Sequence, residues 1–184
     1  MEIINTPIEG LYIIKPRVFS DDRGHFYESF NHKIFHELTG VNIMQFLQDN
    51  ESKSKNNVLR GLHFQKWPYE QSKLVRVIKG KVLDVVVDIR RDSSTFGQHF
   101  SIELSEDNKL QLFIPIGFAH GFRSLEDDTI FSYKCSYYYN KRSEDGLDPF
   151  DKDLGIKWGV VPPTPLILSE KDSELQSWEE FKNK

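Results

Sequence analysis

Apolar residues fall along this 184-residue chain in short runs that alternate with polar positions or are cut by turn-forming residues. A period of two over such runs marks strands rather than helices. The pattern predicts strands at residues 11–14, 25–30, 44–50, 58–64, 73–78, 82–90, 100–104, 110–114, 120–124 and 129–138. Two segments depart from it. Asn31 can cap a short helix whose apolar positions are Ile34, Phe35 and Leu38, with Gly40 ending it, and residues 173–181 read as a second helix before a polar tail. Many short strands with two helices predict an all-β fold, a barrel or jelly roll, formed by residues 1–184 as one domain.

Lys79-Gly80-Lys81 lies between two strongly β stretches and predicts a tight hairpin. With residues 79 and 80 in the loop, Val75 faces Asp84 and Lys73 faces Val86, which makes Lys73 and Asp84 diagonal neighbours within ion-pair reach. Leu83, Val85, Val87 and Ile89 then form an apolar row on one face of the second strand. Lys73, Asp84 and Asp88 stand on the opposite face, which either lines the mouth of a ligand-holding barrel or simply meets water.

Composition narrows the function. Aromatic residues make up 13% of the chain, which favours strands and stacking surfaces. A net charge of -4 gives no global positive field for nucleic acid, so an anionic ligand has to be held by a local group of basic residues. Cys135 is the only cysteine; an intrachain disulfide is excluded and a reducing compartment, the cytoplasm, is expected. Neither a signal peptide at residues 1–20 nor an apolar stretch near the roughly 20 residues of a membrane helix is apparent, so no membrane partner is expected.

Two segments place histidine in an apolar strand. In Val58-Leu59-Arg60-Gly61-Leu62-His63-Phe64-Gln65, strict alternation sends Arg60 and His63 to opposite faces, whereas a bulge at Gly61 would bring them together. Pro115-Ile116-Gly117-Phe118-Ala119-His120-Gly121-Phe122 puts a second histidine beside a glycine that permits close backbone approach. Each histidine alone also fits a hydrogen-bonded core position. A metal site is disfavoured: metal-binding cupins pair two histidines one residue apart with a nearby glutamate, whereas Gln65 follows His63 here, and one histidine per segment is too few ligands.

These segments form an ordered series with Asp22-Arg23-Gly24-His25-Phe26, Gln48-Asp49-Asn50, Lys73-Leu74-Val75, residues 84–90 and Ser169-Glu170-Lys171-Asp172. From about residue 8 to residue 172 the series resembles the dTDP-4-dehydrorhamnose 3,5-epimerase family, which implies a cupin-type double-stranded β-helix with a few short peripheral helices. The resemblance further implies a dTDP-linked 4-keto-6-deoxyhexose substrate whose C3 and C5 hydrogens are acidic because the enolate is delocalised onto the ketone. Such a reaction needs a base, an acid on the opposite face and positive charge at the ketone oxygen, with no cofactor and no metal.

By that resemblance His63 is the base, Asp172 supports its imidazolium, Lys73 stabilises the enolate with support from Asp84, and Tyr133 is the acid, with Tyr139 a competing candidate. Arg23, Arg60 and Lys171 match positions that hold the diphosphate or sugar, as suits permanently charged donors. Phe26, Glu28, Gln48, Asp49, Asn50, His120, Tyr139 and Glu144 match other substrate-lining positions. An N-terminal segment that reaches into a neighbouring subunit implies a homodimer with composite sites. The run 145–150, with Pro149 where an aromatic is usual, and the run 66–70 depart from the family pattern and bear on the exact sugar. The alternatives are a single-site 3- or 5-epimerase acting on a related 4-ketosugar nucleotide, a metal-dependent cupin, and a binding protein without catalysis.

Overall fold

The computed structural model describes residues 1–41, 46–159 and 165–184. Thirteen strands and three short helices follow one another as β1 (Glu2–Asn5), β2 (Tyr12–Lys15), β3 (Val18–Asp21), β4 (Gly24–Tyr27), α1 (His32–Thr39), β5 (Gln48–Ser54), β6 (Leu59–Gln65), β7 (Lys73–Lys79) and β8 (Lys81–Asp88). They continue as β9 (His99–Ser105), β10 (Gln111–Ile114), β11 (Phe118–Ser124), β12 (Thr129–Cys135), β13 (Glu144–Gly146), α2 (Glu170–Ser173) and α3 (Trp178–Lys182). A six-stranded antiparallel sheet has the order β1-β2-β10-β7-β12-β5, a five-stranded one the order β13-β6-β11-β8-β9, and β3-β4 is a separate hairpin.

The two large sheets share a core, in the cupin-type jelly-roll arrangement. Val75, Val77, Leu112 and Phe131 from the first pack with Val82, Val86, Leu104 and Phe122 from the second. The Phe122 and Phe131 rings stack with centroids 4.1 Å apart. Each such side chain contributes about 2 kcal/mol of burial. Alternation turns Leu83, Val85 and Val87 to the opposite face of β8, where Leu147, Leu154, Trp158 and Trp178 cover them. The predicted apolar row is therefore dry, but the C-terminal third of the chain covers it rather than the facing sheet. On the outer face of the six-stranded sheet, Phe35 of α1 packs on Ile14, Leu74 and Phe113.

The predicted β7–β8 hairpin does not form. Gly80, at φ +77°, is a corner that passes the chain from one sheet to the other, and a Cβ there would lie 2.6 Å from Thr129 Oγ1. Its N–H donates to the Glu106 carboxylate instead of to a facing strand, at 2.7 Å. Val75 consequently lies opposite Leu112 and Tyr133, and Asp84 opposite Phe122 and Ile102. The physical reason lies in β8, which is buried on both faces and needs a covering layer on each; a local two-stranded ribbon supplies neither.

Smaller departures have local causes. The strand expected at 25–30 stops at Tyr27, and the one expected at 44–50 runs from Gln48 to Ser54, with Met44 and Gln45 outside the described residues. β1, β3 and β13 were not expected, and β12 ends at Cys135 rather than at 138. The expected helix 173–181 divides because two serines cap separate turns: Ser169 accepts from Asp172 N, and Ser177 forms a capping box with Glu180. Helix α1 forms as its sequence predicts, with Asn31 as N-cap and Gly40 in the left-handed conformation. Among the described residues no helix is long and apolar enough to cross a membrane.

Candidate active site

Strand β6 carries the first functional side chains, and Gly61 sets their direction. Its φ is +112°, and a Cβ there would meet Gly121 Cα at 2.5 Å, so only glycine lets β6 and β11 approach this closely. Phe122 pairs with Arg60 and His120 with His63, so β6 has one more residue than β11 across this interval. That bulge brings Arg60 and His63 to one cavity, as the sequence suggested. The cavity, of about 270 Å³, is lined by Arg60, His63, Lys73, His120, Tyr133 and Asp172, among others.

His63 Nε2 lies 2.5 Å from Asp172 Oδ1, across 109 positions of sequence. Asp172 is 5% exposed. Burial pushes its carboxyl up, but the hydrogen bond and charge of His63 pull it down further, assisted by Ser169 and Lys171, and the net position is below the ordinary value. The carboxylate is therefore ionised and can support an imidazolium. A second pair stands beside it: His120 Nε2 lies 2.9 Å from Asp84 Oδ2, with both side chains buried. The other Asp84 oxygen, also buried, has no hydrogen-bond partner among the described residues.

The expected ion pair between Lys73 and Asp84 is absent among the described residues, because the two belong to different sheets and Asp84 is engaged by His120. Burial pushes the Lys73 amine below its ordinary value, while the charges of Cys135, Asp84 and Glu144 act in the opposite direction. Asp84 thus influences Lys73 through its field rather than through a bond. Tyr133 is pushed above its ordinary value chiefly by burial, which keeps its hydroxyl protonated.

A second cleft, of about 250 Å³, shares His63, Lys73 and Tyr133 with the first and adds Gln48, Asn50, Gln65, Tyr139 and Glu144. Tyr139 donates to Glu144 Oε2 at 2.7 Å, and that hydrogen bond raises its pKa. Glu144 also pairs with Lys171. Tyr133 therefore lines both clefts, whereas Tyr139 lines only the outer one.

Four expected site residues lie elsewhere in the single chain. Asp49 alternates away from Gln48 and Asn50 and binds Lys134 at 2.8 Å. Arg23 is held by Asp21 at 2.5 Å on the β3–β4 hairpin, where it borders a separate groove with Phe26. Phe26 is 73% exposed, and Glu28 just beyond the hairpin is exposed too. Ser52, Phe122 and Phe131 also line the first cavity, and Gln65 and Gln71 the second, although no motif marks them as site residues. Inward alternation on their strands was the available signal for the first three. Among the described residues no group of three His, Cys, Asp or Glu side chains is placed to hold a metal.

Residues 5–180 match the family described as dTDP-4-dehydrorhamnose 3,5-epimerase. A dTDP-4-dehydrorhamnose 3,5-epimerase of Shigella flexneri is 50% identical over 178 residues, 97% of this chain and 96% of that protein. The crystal structure of a dTDP-4-dehydrorhamnose 3,5-epimerase from Elizabethkingia anophelis superposes with a TM-score of 0.92 at 50% identity, covering 98% of this chain and 97% of that one. A 3,5-epimerase from Legionella pneumophila, solved in complex with dTDP-4-keto-L-rhamnose, superposes with a TM-score of 0.91 at 46% identity, covering 96% and 92%. With the fold, the ordered motifs and these likenesses in agreement, the chain belongs to the dTDP-4-dehydrorhamnose 3,5-epimerase family.

Proposed function

We propose that this protein epimerises dTDP-4-dehydro-6-deoxy-D-glucose at carbons 3 and 5, giving dTDP-4-dehydro-L-rhamnose, a precursor of surface polysaccharide. The observation that carries this reading is the opening of one cavity onto a carboxylate-backed histidine, a half-buried lysine and a protonated tyrosine. His63 removes the proton next to the C4 ketone and becomes an imidazolium held by Asp172. The electrons move onto the ketone oxygen, where the Lys73 ammonium stabilises the enolate. Tyr133 returns a proton to the carbon from the opposite face, and the configuration inverts. Solvent then takes the proton from His63 and returns one to Tyr133, and the same steps invert the second carbon. Every atom and electron is balanced by proton movement alone, so the reaction requires no cofactor.

Arg60 and Lys171 lie at the cavity as donors for the diphosphate. Arg23, Phe26 and Glu28, exposed and outside the cavity of their own chain, complete the site of a second copy in a homodimer. The lone, buried Cys135 accords with action in the cytoplasm.

The test is incubation with the 4-keto-6-deoxyglucose nucleotide in heavy water, followed by NMR. Deuterium at both C3 and C5, with inversion at each, is the expected result. Label at one carbon only would replace this reading with a single-site epimerase, and no label at all would remove it.

A further inference from the structure

Strand β12 leaves its sheet at Cys135, yet the next residues are not free. Three glutamine side chains take over from the missing strand partners of 137–140. Gln71 Nε2 donates to Tyr137 O at 2.7 Å. Gln65 Nε2 donates to Tyr69 O at 2.7 Å and to Tyr138 O at 3.3 Å, while its Oε1 accepts from Asn140 N at 2.6 Å. Gln48 Oε1 accepts from Tyr139 N at 2.8 Å. These amides come from three separate places in the fold: β5, β6 and the loop before β7.

Gln65 is the buried member, 8% exposed, and it bonds on both sides of Tyr139. It lies on the same strand as His63 and opposite Glu144 in the ladder, so it ties the strand carrying the base to the wall formed by Tyr139 and Glu144. An amide is suited to this task because it donates and accepts at once; a carboxylate or a thioether offers only part of that. Tyr139 itself is half exposed and has two other hydrogen bonds, through its N–H to Gln48 and its hydroxyl to Glu144. Its ring position therefore depends on where the clasp holds the backbone.

We propose that Gln65 is a positioning residue for substrate binding, holding the 138–140 backbone so that Tyr139 stands with Glu144 along the outer cleft where the nucleotide end of the substrate is bound. This rests on the function proposed above: the ketosugar lies at His63, Lys73 and Tyr133, which both clefts share, the diphosphate at Arg60 and Lys171, and the nucleoside is placed along the outer cleft as part of this inference. Gln65 touches no reacting atom, and its effect falls on affinity more than on the chemical step.

The experiment uses dTDP as the probe, measured by calorimetry on the full-length protein, together with steady-state kinetics. Gln65→Met keeps the size of the side chain and removes its donors and acceptor. It should weaken dTDP binding and raise KM by roughly tenfold, with kcat lowered by less than about threefold, as fits one to two hydrogen bonds of net worth. Tyr139→Ala removes the group through which Gln65 acts. In that background Gln65→Met should cost less than about twofold, the non-additivity expected of coupled residues. Unchanged affinity in Gln65→Met, or full additivity of the two substitutions, overturns the proposal. Should Gln65→Met lose its cooperative melt, Gln71→Met, which removes only the outer bond to Tyr137, carries the same test: about a threefold rise in KM is expected, and no change overturns it. Wild-type protein that failed to bind dTDP would overturn the proposed function and this inference with it, whereas wild-type binding matched by Gln65→Met would overturn this inference alone.

Discussion

The cavity holds two histidine–carboxylate pairs on neighbouring strands, and their differences show which features suit a histidine to act as a base. His63 and His120 are paired across β6 and β11, and each meets its carboxylate through Nε2. The His63 side chain is 29% exposed and that of His120 8%. Asp172 comes from a short helix near the C-terminus, where the Ser169 cap holds it in place, and its carboxylate is kept ionised by His63. Asp84 lies on an adjacent central strand, fully buried, with one oxygen that has no hydrogen-bond partner among the described residues. A base that exchanges its proton with solvent between turnovers has to be reachable, and an imidazolium has to have an ionised partner; His63 meets both conditions. The sealed pair lines the same cavity through His120, and the charge of Asp84 acts to raise the Lys73 pKa.

Breaking the open pair should have the larger effect. Asp172→Asn leaves the size of the side chain intact but removes the charge that supports the imidazolium, and kcat should fall on the order of 10³-fold, read in a steady-state assay. A loss below about tenfold would leave the carboxylate without its assigned role. Breaking the sealed pair should cost less. Asp84→Asn should lower kcat/KM by about tenfold. Because the Asp84 charge raises the Lys73 pKa, its removal should also shift the alkaline limb of the pH–rate profile to lower pH. A loss as large as that of Asp172→Asn, or a limb that stays in place, would erase the distinction between the pairs.

The smallest effect sharpens the comparison through stability. The Asp172 carboxyl lies below its ordinary value of 3.8 in the folded protein. Its ionised form therefore stabilises the fold above about that pH, and this contribution is lost as pH falls through the lower, folded value. In urea titrations the gap between wild type and Asp172→Asn should narrow below about pH 4; a constant gap would show that the carboxylate is not linked to folding.

The sequence made one of these pairs legible and misread the other. Local alternation placed the strands well, and Gly61 betrayed the bulge that turns Arg60 and His63 the same way, because both signals act between near neighbours. The partner of His63 was legible only through family resemblance, since 109 residues separate it from Asp172. The Lys73–Asp84 pairing failed for a related reason: a Lys-Gly-Lys turn is equally suited to a hairpin and to a corner between sheets, and the choice depends on which layers cover β8. The glutamine clasp was invisible because a glutamine that binds backbone resembles one that meets water. Arg23, Phe26 and Glu28 were legible as site residues only through family resemblance, and in the single chain they are exposed and outside the cavity.

The claim on which the account depends is that His63, and not its neighbour, takes the substrate proton. It is tested most directly by following deuterium wash-in at C3 and C5 of the ketosugar nucleotide with His63→Ala and His120→Ala side by side. The account predicts that His63→Ala loses label at both carbons while His120→Ala still acquires it, more slowly. Continued labelling at either carbon by His63→Ala would contradict it.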